Sequence, residues 1–371
     1  MENDPHPIVQ RAAANALGQF SDTRVVKPLI LALASPREKL QQAAQESLKN
    51  INPNWAKSEA AQQAIPTLIA ALTAFDEDAR KGATKALQEI DSNWAKSEAA
   101  QQAVPTLIAA LAAFSEGSRA AAASALRQID PNWLKLDVAH QAIPKFIETL
   151  KNGTGGERAA AAKVLGQIGD EHAIEPLILA LKEDSDSDVR KMTAQVLGDF
   201  GNMVAVEALI LALTDKNIKV HEAALGALEK LDPNWAKSEN ARKAVPSLVI
   251  ALKDVDAWVR QKAAHLLTRI GDTTVVGPLI ETILYENTHT FSDGSTITAS
   301  WPGTVQSLVQ WLQRDIAYIA ADDLRSVLKL PKMLSIRLPG WECEGGIYDE
   351  ISFSEITQLA RQELIRRGEK A

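Results

Sequence analysis

One cysteine, Cys343, occurs in 371 residues, so no disulfide framework can form within a single chain and a reducing compartment is expected. Aromatic residues make up only 5% of a chain that is 46% hydrophobic. The apolar mass is therefore Ala, Leu, Ile and Val, which suits helices packed closely on small side chains. No apolar run approaches the ~20 residues of a membrane span. The start, MENDPHPIVQRAAANALGQF, has neither a basic n-region nor an apolar h-region. These absences predict no membrane association, no signal peptide and a cytoplasmic location. A basic excess is missing as well. The net charge is −7 and the pI about 5.5, so binding to nucleic acid, which needs concentrated Lys and Arg, is not expected.

What the chain has is length and internal repetition. At 371 residues it exceeds one ordinary core, which leaves several domains or a repeat array. Two apolar positions recur. One lies in segments reading xRxxAAxALGxI: Leu17, Leu48, Leu87, Leu126, Leu165, Leu197, Leu228 and Leu267. The other closes segments reading PLIxAL: Leu33, Leu72, Leu111, Leu150, Leu181, Leu213, Leu252 and Ile283. Both carry apolar residues at i, i+3, i+4 and i+7, the stripe of an amphipathic helix. They are called helix A and helix B below.

The A-to-B spacing is 16 residues in repeats 1, 5, 6 and 8, and 24 in repeats 2, 3, 4 and 7. The longer form holds an insertion that is itself a copied motif: NPNWAKSEAAQQAIP from Asn52, DSNWAKSEAAQQAVP from Asp91, DPNWLKLDVAHQAIP from Asp130 and DPNWAKSENARKAVP from Asp232. Ser58, Ser97 and Ser238 read as N-caps. The insertion is expected to add about two helical turns ahead of helix B, with Pro66, Pro105, Pro144 and Pro246 bending the join. Pro28, Pro176 and Pro278 fall in the first turn of helix B. Gly18, Gly166, Gly198 and Gly201 are expected at left-handed helix-A ends.

The unit from Asp188 to Leu213, and that from Val259 to Ile283, resembles the HEAT-like repeat of phycobilisome lyases, and the longer form resembles the HEAT repeats of many bacterial proteins. The resemblance runs over about residues 5–284. It implies an all-α solenoid of eight helical hairpins over 1–284, followed by a C-terminal cap over 285–371. HEAT arrays serve scaffolds, adaptors, sensors and a few enzymes, so function must come from the site. Arg80, Arg119, Arg158, Arg190 and Arg260 each stand seven residues before the register leucine, with His221 at that place in repeat 7. With Asp78 and Asp188 nearby, an Asp–Arg ladder between repeats is expected. Thr288–Trp301 alternates β-branched and polar residues about Asp293-Gly294, a hairpin signal. Helices are expected near Val305–Ala320, Asp323–Leu330 and Ser354–Arg367, with a loop at Pro339–Gly346. The chain starts a few residues before the first helix A without a cap of its own. That suggests a piece of a longer protein, or a first face covered by association.

Catalytic chemistry is sparse. No HExxH or Cys/His ligand spacing occurs. The HEAT-repeat enzyme deoxyhypusine hydroxylase holds iron through repeated His-Glu pairs. This chain has one such pair, His221-Glu222, so neither a metal nor another cofactor is expected. Cys343 lies between Glu342 and Glu344, whose charges oppose thiolate formation. The GTGGER run at Gly153–Arg158 lacks the Lys-Ser/Thr of a phosphate loop and reads as an inter-repeat turn.

Two features remain as candidates for binding. Trp55, Trp94, Trp133 and Trp235, one per insertion, form either packing wedges or a recognition edge, and packing is the favoured reading. Two residues before each helix-B register position stand Leu31, Ala70, Ala109, Glu148, Leu179, Leu211, Ile250 and Glu281. Leu31, Leu179, Leu211 and Ile250 would line an apolar trough on the concave helix-B face. The expectation is a non-enzymatic scaffold or adaptor for a protein partner. The alternatives are a phycobilin lyase or isomerase subunit, and the sensor arm of a larger signalling or defence protein.

Overall fold

A computed structural model describes residues 6–20, 23–287, 319–328, 333–337, 348–352 and 354–369, together with 309, 311–313 and 316. The chain is an all-α solenoid of helix pairs, and it falls into two compact units, 1–177 and 178–371.

In the first unit, helix A occupies Pro7–Leu17, Glu38–Ile51, Glu77–Ile90, Glu116–Ile129 and Gly155–Ile168. Helix B occupies Val26–Ala32, Glu59–Ala71, Glu98–Ala109 and, in two pieces, Asp137–Gln141 and Ile143–Asn152. Ile174–Glu183, helix B of repeat 5, spans the division between the units. In the second unit, helix A occupies Ser187–Phe200, Ile218–Leu231 and Ala257–Ile270. Helix B occupies Val206–Ala212, Glu239–Lys243 with Val245–Ala251, and Val276–Asn287. Register leucines 48, 87, 126 and 165 of the first unit, and 197, 228 and 267 of the second, are fully buried. Each such leucine stabilises the fold by about 1.5–3 kcal/mol, and Ala neighbours such as Ala44, Ala83, Ala122 and Ala161, also buried, let the helices approach closely.

Each insertion begins with a short 3-10 turn, Trp55–Lys57, Trp94–Lys96, Trp133–Lys135 and Trp235–Lys237. Just ahead of it, the side chain of Asn52, Asp91, Asp130 or Asp232 accepts the N–H two residues on, at 2.7–2.8 Å. The turn packs between its own helix A and helix A of the next repeat, with all four indoles buried. Ser58, Ser97 and Ser238 then cap the following helix by accepting from Ala61, Ala100 and Ala241. The prolines act unequally. Pro66 and Pro105 lie inside continuous helices, whereas Pro144 and Pro246 begin a fresh helix after a one-residue break at Ala142 and Ala244.

The glycine expectation needs correcting. Left-handed φ values belong to Gly169, Gly201 and Gly271 at helix-A ends, and to Gly368. Gly18 is right-handed, with φ −66°, and Gly166 and Gly198 lie within helices. The reason at Gly198 is packing: a Cβ there would meet the Ala227 Cβ at 2.7 Å.

Beyond repeat 8, helix Ala321–Val327 packs on Val276–Asn287, and Ser354–Arg366 packs on Ala321–Val327. These two match the expected second and third helices to within a few residues. Met333–Arg337 pairs antiparallel with Tyr348–Ser352, Ser335 opposite Glu350. This ribbon brackets the expected loop at 339–346. The hairpin expected at Thr288–Trp301 and most of the helix expected at 305–320 lie outside the described residues, as does Cys343.

Candidate interaction surface

Helix B buries one stripe and leaves its neighbour open. In the first unit, Leu31 is half-buried, while Ala70, Ala109 and Glu148 are exposed. In the second unit, Leu179 is 45% exposed and Ile250 74%, with Leu211 half-buried between them in sequence and Glu281 exposed. The proposed row therefore contains large apolar side chains in water, strongest at Leu179 and Ile250. Trp55, Trp94, Trp133 and Trp235 do not share that surface, because each is buried. The Trp235 Nε1 is buried without a hydrogen-bond partner among the described residues. The Arg269 guanidinium stands over the ring face, 4.6 Å from the ring centre.

Where an Asp–Arg ladder is expected, the arginine series donates to backbone carbonyls, and Arg190 pairs with Asp215. Arg80 donates to the carbonyls of Ala74 and Phe75, both at 2.7 Å. Arg119 does the same at Ala113 and Phe114, and Arg260 at Asp254 and Val255. Arg158 donates to Gly153, Gln41 of repeat 2 to Ser35, and the His221 ring binds the Leu213 carbonyl at 2.7 Å. The position closes the carbonyls left open where the preceding helix B ends. Arg190 also pairs with a carboxylate, Asp215. His221 thus serves the backbone beside Glu222, and Gly153–Arg158 is indeed an inter-repeat turn: Glu157 accepts from the Thr154 N–H and hydroxyl.

Sequence reasoning missed an exposed aromatic pair. Phe75 and Phe114, 74% and 63% exposed, stack with ring centres 6.3 Å apart. Each precedes a helix-A N-cap, Asp76 or Ser115, on a turn held by its own arginine. The only signal was a large aromatic in TAFDED and AAFSEG, outside both helical stripes.

Ionisable groups gather at few places. Asp170 accepts from the backbone N–H of His172 at 2.9 Å and meets the His172 and His140 rings at 2.6 and 3.4 Å. These hydrogen bonds hold its carboxyl down to about 2. Among the described residues, no group of three or more His, Cys, Asp or Glu side chains is arranged to hold a metal ion. No helix there is long and apolar enough to cross a membrane.

A family model for HEAT repeats matches residues 1–88, 104–191 and 174–241. No curated protein sequence matches the chain. Among solved structures, an engineered protein is 19% identical, covering all of this chain and 97% of its own, with a TM-score of 0.36. Human deoxyhypusine hydroxylase, solved with glycerol, is 21% identical over 62% of this chain and 82% of its own, with a TM-score of 0.28. YibA of Escherichia coli is 18% identical over 85% and 99%, with a TM-score of 0.33.

Proposed function

Because the chain belongs to the HEAT-repeat family, we propose that it is a non-enzymatic scaffold or adaptor holding a protein partner on the face lined by its helices B, the concave face of such stacks. The observation that carries this reading is the exposure of Leu179 and Ile250 on helix B, where a packed helix would place polar residues. Leu31 and Leu211, half-buried in the same register, extend the apolar lining within their own units. The repeats supply rigidity, and the side chains of one helix face supply recognition. The buried tryptophans belong to the framework in this reading.

The test is capture of partners from a lysate by the tagged chain and by a Leu179→Glu/Ile250→Glu variant, compared by quantitative mass spectrometry. A protein retained by the parent chain and lost with the variant supports the reading. Identical capture by both, with both folded, contradicts it.

The short repeats favour a second reading, since the unit Asp188–Leu213 resembles those of phycobilin lyases. In it the same face would hold a tetrapyrrole and its acceptor protein. Bilin absorbance bound to the purified chain would support it.

A further inference from the structure

A surface formed by helices A of repeats 7 and 8 gathers basic side chains within a chain of net charge −7. Lys262, His265 and Arg269 follow at i, i+3 and i+7 along Ala257–Ile270, which places them on one stripe. Trp258, four residues before Lys262, continues that stripe. The ammonium of Lys262 lies 4.3 Å from the Trp258 ring centre, and Arg269 lies over Trp235 from the turn after the facing helix. His221 of the facing helix stands edge-on to Trp258 at 6.5 Å.

Lys262, His265 and Arg269 make no ion pair among the described residues, and the facing carboxylates Glu222 and Glu229 make none with them. Partial burial and then Lys262, Arg269 and His221 push the His265 imidazole below its ordinary pKa, while burial alone pushes Lys262 down. The His265 direction reports neighbouring positive charge beside partial burial, and the Lys262 direction reports partial dehydration. The surface also carries a partly exposed apolar side chain, Leu225. Gly226 faces open space, Leu225 is half-buried, and His265 and Arg269 are exposed.

We infer that this surface docks an acidic amphipathic segment of a protein partner. Its carboxylates would meet Lys262 and Arg269 where those cations already rest on indole faces, and its apolar side would lie against Leu225 and Trp258. Lys262, partly desolvated and in no ion pair among the described residues, favours an anion more than a fully solvated cation does. The surface is formed by helices A and is independent of the helix-B face, so each can fail alone.

The probe is a fluorescein-labelled acidic amphipathic peptide of Glu, Leu and Ala, titrated into the full chain by anisotropy. It is run beside its Glu→Gln counterpart and a single-stranded DNA of matched charge. The acidic peptide is expected to bind, and Lys262→Gln/Arg269→Gln to weaken it by about tenfold or more. Lys262→Arg/Arg269→Lys should retain binding. If the double change to Gln lowers helical circular dichroism, Lys262→Gln alone, which leaves Trp235 covered, must still weaken the peptide. Equal binding of the Glu→Gln peptide, tighter binding of the DNA, or indifference to the charge-removing changes would overturn the inference.

Discussion

Arg190 of repeat 6 holds both carboxylate oxygens of Asp215, with Nε at 2.7 Å and Nη2 at 3.0 Å. The same guanidinium donates through Nη1 to the Asp184 carbonyl at 2.8 Å. Asp215 in turn accepts the Asn217 N–H on its carboxylate and the Trp258 indole N–H on its carbonyl. One turn therefore ties helices A of repeats 6 and 8 across repeat 7. Both side chains are mostly buried, 18% and 12% exposed, so removing one leaves the other poorly solvated.

Asp215→Ala is accordingly expected to destabilise the chain by about 2–3 kcal/mol. Urea unfolding followed by circular dichroism measures it. A loss below ~0.5 kcal/mol, the range of an ordinary surface change, would show that this link contributes little.

The buried indoles give a second prediction. Trp55→Ala, Trp94→Ala and Trp133→Ala should each cost about 3–5 kcal/mol. At Trp235, whose N–H is buried without a partner, Trp→Phe also removes an unmet donor. Trp235→Phe is therefore expected to cost less than Trp94→Phe. A Trp→Ala variant of repeats 2–4 that unfolds like the parent chain would refute the wedge reading.

Two helical glycines should respond in opposite directions. Gly226→Ala meets nothing within 4 Å and should stabilise by about 0.5–1 kcal/mol through helix propensity. Gly198→Ala would press on Ala227 and should destabilise by about 1–3 kcal/mol despite the same propensity gain. Melting temperatures of the two variants compare them directly, and equal signs would contradict the packing described.

Asp170 supplies a pH dependence. Its folded-state pKa is depressed to about 2, against an ordinary value of ~3.9. Stability from this group is therefore fully present above about pH 4 and is lost as pH falls towards 2. Asp170→Asn should melt below the parent chain at pH 7, with the gap closing between about pH 4 and 2. A constant gap across that range would rule out the ionised carboxylate as the cause.

Much of the framework was legible because a copied leucine register exposes the repeat, and Ser-Glu before an apolar run marks a cap. The roles of the arginines were not legible. Seven residues from a leucine, Arg80 could reach forward to an aspartate or back to the Ala74 carbonyl, and spacing cannot separate the two. Gly198 was misread because its neighbour, Ala227, lies a whole repeat away in sequence. Phe75 and Phe114 escaped notice because neither belongs to a helical stripe, and their stacking exists only once two turns are brought into register. At the candidate surface, the row Leu31, Leu179, Leu211 and Ile250 was readable from periodicity. Its degree of exposure was not, because burial of those side chains depends on the adjacent repeats.

The central claim is that recognition lies on helix B. Hydrogen–deuterium exchange of the chain with and without a partner captured through Leu179 and Ile250 tests it most directly. The account predicts new protection within Ile174–Glu183 and Val245–Ala251. Protection confined to helices A, with both of those segments unchanged, would contradict it.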